Sequence, residues 1–484
     1  MDKSALLKST PSELARKLGP FDSTMMMMGI VIGSGIFLTT GIMAKSIPSA
    51  GLILLAWLIG GLLILAGALT YAELGAAMPD AGGQYVYLKE AYGPLFGFLF
   101  GWKLFLVNMT GSIAALGVAF AEYLGYFVPA VATQQKIFTV AVPAFNREFS
   151  YSVSAGQIVA VVVILLFSAF NYVGVLFGKI VQNILTVTKI GTILAFIVFG
   201  LAAGSGRSLD LAINPAGMSF SQLIIGFGVA LIAISWAFDG WNNINYVAGE
   251  IKNPKRNLPM ALLLGTVGVS LLYVALNVIY LLALPITDMT GVVRIAEKSA
   301  TVLFGTTAAD FVSAAVIVSV LGALNGAIFA GARVYYAMAK DRLFFRKVGS
   351  LHPKFKTPAF AILIQALWAC VLALTGSFEQ LFTYAMFIGV LFWVIAAAAV
   401  FTLRKKYPHM ERPYKTWGYP IVPMVFIIAL SGVLINGLIE KPVEAFIGIS
   451  FTALGIPVYF IWKKKMKLNE SDILKYKGDE KPDA

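Results

Sequence analysis

Apolar runs of roughly twenty residues recur along the whole chain, the length a helix needs to cross a hydrocarbon core about 30 Å thick. Short stretches rich in Gly, Pro and charge separate them. Taken run by run, the pattern predicts about twelve spans, near 23–46, 50–77, 94–128, 154–174, 180–203, 219–249, 258–284, 308–338, 358–375, 379–403, 418–438 and 443–462. Helices are the expected elements, because hydrocarbon offers the backbone no partner and each span must satisfy its own amides and carbonyls. No soluble domain interrupts the series. The longest connections on one side, 129–153 and 285–307, are too short to fold alone and are expected to carry short helices. No cleavable signal is expected, since the first run is long and follows a polar segment, 1–22.

Two runs are broken at mid-depth. The first contains Val31-Ile32-Gly33-Ser34-Gly35-Ile36-Phe37, directly after the methionines Met25 to Met28. Glycine costs a helix interior about 1 kcal/mol against alanine. The sixth contains Ser235-Trp236-Ala237-Phe238-Asp239-Gly240-Trp241-Asn242-Asn243, five spans later. Interruptions at corresponding positions of two five-span halves point to an inverted repeat with a ligand site at its interface. The implied organisation is a first repeat over 23–203, a second over 219–403, two further helices over 418–462 and a basic tail, 463–484.

A severed helix frees backbone groups that need partners at that depth. Near Gly35 a new half-helix begins, so its amides and positive dipole end face an anion such as a carboxylate. Freed carbonyls near Val31 and in the second break suit an ammonium. An α-amino acid carries both groups on adjacent atoms. Small-residue packing between helices explains a lone Gly-Ser-Gly equally well; the second break favours binding.

Composition sharpens this picture. Only 13% of the 484 residues are charged and 59% are hydrophobic, against about 25% charge in soluble proteins. A net charge of +13 suggests nucleic acid until its distribution is read. Roughly 27 Lys and Arg fall on the side of the two termini and roughly 7 on the other, which is the positive-inside signature of cytoplasmic termini in a plasma membrane. The basic run Lys463-Lys464-Lys465 suits anionic lipid. No nucleic-acid partner is expected. The single cysteine, Cys370, and the histidines His352 and His409 supply neither a disulfide framework nor a metal site, and no cofactor is expected. An embedded enzyme needs paired acids or a nucleophile with a base at depth, and the sequence has none.

Charged residues inside spans are the sharpest candidates. Asp239 sits where an acid costs at least ~2.5 kcal/mol; it either contacts a polar ligand, titrates, or caps the amides freed by the break. Lys189, in "VQNILTVTKIGTILAFIVFG", is somewhat too deep to snorkel comfortably and is read as a fixed cation bridging spans or a proton carrier, with simple snorkelling as the alternative. Lys103, Glu122, Asp310 and Glu73 lie nearer span ends and are expected to be interfacial anchors. Arg333 and Lys340 read as residues of the positive side, and Glu250 as the partner of a nearby base.

Four segments, "GIVIGSGIF", "ALTYAELGAAMPDAGGQYVYLKEAYGP", "AFDGWNNINYVAGEIKNPKRNLPMAL" and "GALNGAIFAGARVYYAMAKDRLF", together resemble the amino acid–polyamine–organocation superfamily. The likeness is strongest to its L-amino-acid transporter branch and the bacterial serine/threonine exchangers, and it covers about 20–465. It implies the leucine-transporter fold: five plus five inverted helices and two more, with the first and sixth unwound. It implies a site between helices 1, 3, 6, 8 and 10. Ser34, Gly35 and Ile36, with Gly33 beside them, then offer amides to the substrate carboxylate. The carbonyls of Val31, Trp236 and Asp239 take its ammonium, with Ala237 and Gly240 in the second break. The same likeness makes Trp236 the lid and turns Asn108 toward the site. It makes Lys189, with Ser319 opposite, the stand-in for a sodium ion. Animal members bond a glycoprotein subunit through a cysteine in the loop after helix 3; 129–153 has none, so no disulfide-linked heavy subunit is expected.

The function this implies is sodium-independent transport of neutral, small or polar L-amino acids by exchange in a bacterial plasma membrane. Proton-coupled symport is the alternative mechanism. A receptor that binds without transport is the alternative from another class.

Overall fold

The structure, a computed structural model, describes residues 14–464 apart from 145–146, 204–207, 214–216, 293, 376–377 and 441. The expected basic tail beyond 464 and the start of the 1–22 segment lie outside the described residues. Serine caps open several helices: Ser49 accepts the amide of Leu52, and Ser154 and Ser219 form capping boxes with Gln157 and Gln222.

In chain order the helices are α1 (Pro20–Val31), α2 (Gly35–Ser46), α3 (Ala50–Ala77), α4 (Gln84–Tyr92), α5 (Pro94–Lys103), α6 (Met109–Phe127), α7 (Ala155–Val173), α8 (Val175–Ala203) and α9 (Phe220–Ala237). There follow α10 (Pro254–Ala283), α11 (Ile286–Met289), α12 (Ile295–Phe304), α13 (Thr306–Lys340), α14 (Ala359–Thr375), α15 (Phe378–Lys406), α16 (Ile421–Glu440) and α17 (Pro442–Ala453). Eleven helical stretches among the described residues are long and apolar enough to cross a membrane. The shorter α14, at 17 residues, occupies the place of the ninth expected span. This is a multi-pass, all-helical membrane protein in its spans.

Burial separates the centre from the lipid face. The stretch formed by α1 and α2 is 89% buried, whereas α8 is 28% buried. Residues such as Phe220, Leu271 and Phe311 point outward, as lipid-facing side chains do.

Three expectations are corrected. The 129–153 connection carries a β-hairpin, β1 (Lys136–Ala144) paired antiparallel with β2 (Arg147–Ser154), after a single 3-10 turn. The β-branched and aromatic residues of Ile137 to Val142 suit a strand better than a helix. The 285–307 connection does hold short helices, α11 and α12. The third span is not a uniform helix: a π-helical turn, Leu104–Asn108, joins α5 to α6. Finally, Lys103, Glu73 and Arg333 are not surface residues. Lys103 is 3% exposed. Glu73 is buried, its carboxylate gripped by Arg404 at 2.6 and 2.8 Å. Arg333 is wholly buried against Glu250 at 2.8 Å.

Candidate functional site

The two broken spans meet at their breaks. α1 ends at Val31, α2 starts at Gly35, and α2 packs along α9. A Cβ on Gly35 would stand 2.6 Å from the Cα of Ala237, so only glycine permits this approach. After Ala237 the chain turns, with Gly240 at φ +93°, and continues as a 3-10 helix, Asn243–Glu250. A Cβ on Gly240 would strike Ile30. Each break thus abuts the other, and two glycines are the condition for it.

A cavity of about 40 Å³ lies between them, where a single water needs roughly 10–15 Å³. Val31, Gly33, Ser34 and Gly35 line it from the first break, Trp236, Asp239 and Gly240 from the second, and Ser112 of α6 from the side. The amides of Ser34, Gly35 and Ile36 have no acceptor among the described residues. The Ser34 hydroxyl is buried there without a partner as well. These are donors converging at a helix N-terminus, the arrangement that holds a carboxylate. Asp239 is partly exposed, and what exposes it is the cavity. Its carboxylate accepts the Gly240 amide and, at 3.4 Å, the Ser112 hydroxyl. It therefore both caps the unwound backbone and faces the space.

Several predicted residues are placed differently. Ile36 and Ala237 stand beside the cavity without lining it, although the Ile36 amide is bare. Asn108 is buried and accepts the Lys103 ammonium at 3.1 Å. The Val31 carbonyl, expected to be free, already accepts the Gly33 amide at 2.8 Å and the Tyr273 hydroxyl at 3.0 Å. That hydroxyl also lies 2.9 Å from the Ala237 carbonyl, so α10 ties the two breaks together. Tyr273 was not among the sequence candidates. Its only signal was a polar hydroxyl within an apolar span. Ser112, Asn243 and Lys103 were missed as site neighbours too.

Lys189 of α8 is buried, its ammonium 2.9 Å from the Gly29 carbonyl, 2.6 Å from that of Ile32 and 2.7 Å from that of Ser319. The Ser319 hydroxyl donates to the Ile32 carbonyl at 3.0 Å. A single cation therefore joins the end of α1 to α13. Its ligands are carbonyls, the set a hard metal cation would take.

Near Leu18, ahead of the first span, backbone and side-chain links cross between elements. Leu18 exchanges backbone hydrogen bonds with Glu250 and Lys252 at 2.9 and 2.8 Å, and Glu250 pairs with Arg333 beneath it.

Comparison with known proteins agrees with this architecture. Residues 18–461 match the family model described as amino acid permease. The chain is 32% identical to the serine/threonine exchanger SteT of Bacillus subtilis (strain 168) over 455 residues, covering 93% of this chain and 98% of the relative. It is 29% identical to the human b(0,+)-type amino acid transporter 1, over 93% of this chain and 88% of that one. It is also 29% identical to the mouse large neutral amino acids transporter small subunit 2, over 94% and 83%. The chain belongs to the amino acid permease family, within the amino acid–polyamine–organocation superfamily, and is an amino acid transporter rather than an enzyme.

Proposed function

We propose that the chain exchanges neutral, small or polar L-amino acids across a bacterial plasma membrane, independently of sodium, by alternating access. The observation that carries this reading is the pair of bare amides at Ser34 and Gly35, with the bare amide of Ile36 next to them, in the lining of a small cavity that Asp239 also lines. A zwitterion's carboxylate satisfies those amides, and carbonyls of the second break take its ammonium. Trp236, half-buried at the rim, closes over it. The cavity's size favours side chains such as those of serine, threonine and alanine.

Lys189 supports the sodium-independent reading, because its ammonium fills the place between α1 and α13 that a cation would occupy. With the termini in the cytoplasm, the seal at Leu18, Glu250 and Arg333 is the inner gate, and rocking of the helices that carry the breaks opens it. The five-plus-five repeat, over 23–203 and 219–403, is the architecture this motion needs. Cys370, the chain's single cysteine, is buried in α14, which supports a transporter without a disulfide-linked partner.

Counterflow in proteoliposomes tests the proposal. Labelled serine should accumulate only in vesicles preloaded with an unlabelled neutral amino acid, equally with and without sodium. Uptake into empty vesicles that follows an imposed proton gradient would instead establish symport. Lys189→Met separates binding from coupling: serine binding should stay within about tenfold of wild type while exchange is lost. Undiminished exchange would remove Lys189 from the mechanism.

A further inference from the structure

Near the cavity lies a second charge that the transport reading above does not use. Lys103 closes α5, and the π-helical turn Leu104–Asn108 follows it. A π turn brings residues five apart onto one face. Here it puts the Lys103 ammonium 3.1 Å from Asn108 Oδ1. The aromatic rings of Phe100 and Phe392 stand 4.9 and 5.2 Å from the same nitrogen. Among the described residues the buried ammonium is held by one amide oxygen and two ring faces, an arrangement that retains a cation away from bulk water. One turn further along α6, Ser112 reaches the Asp239 carboxylate. Asn108 and Ser112 are four residues apart on one helical stretch, so Lys103 and Asp239 are held from adjacent turns. Asp239 lines the cavity and Lys103 does not.

We propose that Lys103 is the built-in counter-ion of Asp239 and thereby sets which side-chain charge the transporter accepts, admitting uncharged amino acids and refusing lysine and arginine. This rests on the reading of the cavity as an amino-acid site. An acid exposed to a substrate cavity would, alone, attract a cationic side chain. With the Lys103 ammonium held by Asn108, one helical turn from the Ser112 that bonds the Asp239 carboxylate, the carboxylate's charge is offset, and an arriving guanidinium or ammonium meets a like charge nearby. A hydroxyl or methyl meets no such penalty, and a hydroxyl can join the Ser112–Asp239 hydrogen bond. Specificity is then a difference between two affinities, produced by a repulsive element as much as an attractive one. Lys103 is a positioning residue that acts through Asp239.

The test is competition against labelled serine exchange by the full chain in proteoliposomes, using unlabelled alanine and unlabelled arginine. In the wild type arginine should compete at least about a hundredfold less well than alanine. In Lys103→Met the arginine-to-alanine potency ratio should rise about tenfold or more, Lys103→Arg should restore refusal, and Lys103→Met with Asp239→Asn should refuse arginine again. An unchanged ratio in a Lys103→Met protein that still exchanges serine overturns the proposal, as does a wild type that takes arginine as readily as alanine. A wild type that moves no amino acid sinks the amino-acid reading itself, which is a different failure. If Lys103→Met does not fold, the double variant decides. A folded double variant shows that the uncompensated Asp239 was the cause, and an unfolded one shows that Lys103 serves something else.

Discussion

At the scale of single residues, the site depends on what is missing as much as on what is present. Gly35 has no Cβ, and the one it would carry stands 2.6 Å from the Ala237 backbone. Gly35→Ala must push the breaks apart, at about 1–3 kcal/mol of stability, and should reduce serine exchange at least tenfold in a protein that still elutes as a single species. Wild-type exchange from Gly35→Ala would show that the contact of the breaks is incidental. Tyr273 tests the same contact from the other side. Its hydroxyl reaches the carbonyls of Val31 and Ala237, so Tyr273→Phe should cost about 0.5–1.5 kcal/mol in thermal stability. Because the link bears on the site's shape, it should also raise the serine concentration needed for half-maximal exchange several-fold.

Much of this chemistry was legible in the residues and part of it was not. Glycine, serine and an acid at mid-depth violate helix and membrane preferences, and such violations mark Ser34, Gly35 and Asp239 in any apolar run. Lys189 stood out for the same reason. Lys103 did not, although it lies as far into its expected span as Lys189 does, because it reads as an interfacial anchor, and only the packing of Phe100 and Phe392 around it shows otherwise. Tyr273 is a common residue of apolar spans, and its role exists only through two carbonyls distant in sequence. The Val31 carbonyl shows the same limit: the break frees it, but which group then takes it is a tertiary fact.

Among elements, the pairing of Glu250 with Arg333 ties the 3-10 helix after the second break to α13. Both side chains are fully buried, yet Glu250 Oε2 and Arg333 Nη2 find no partner among the described residues. A buried ion pair repays its desolvation only when its remaining atoms are satisfied. This one is incompletely satisfied, which suits the proposed inner gate, a contact that parts as access alternates. Removing one member should be costly: Glu250→Gln or Arg333→Met should each lose about 3–5 kcal/mol of stability, and the double variant should recover much of it. Thermal melts of the three purified variants check this. Additive losses in the double variant would mean that the two residues do not act as a pair. The hairpin β1–β2 is the element that span counting misjudged, because length alone does not separate a strand from a short helix, whereas the β-branched and aromatic residues of Ile137 to Val142 do.

At the scale of the whole molecule, the span pattern was readable because hydrocarbon imposes one rule on every segment. The order of burial, with the broken first span at the centre and α8 toward lipid, was not. Hydropathy is nearly the same for both, so sequence could not rank them. The central claim is that the breaks hold a zwitterion by its carboxylate and ammonium. An experimental structure of the protein in lipid with L-serine bound tests it most directly. The account predicts the carboxylate on the amides of Ser34, Gly35 and Ile36 and the ammonium on carbonyls of the second break. Serine seated elsewhere, or a first span wound without a gap from Pro20 to Ser46, would contradict it.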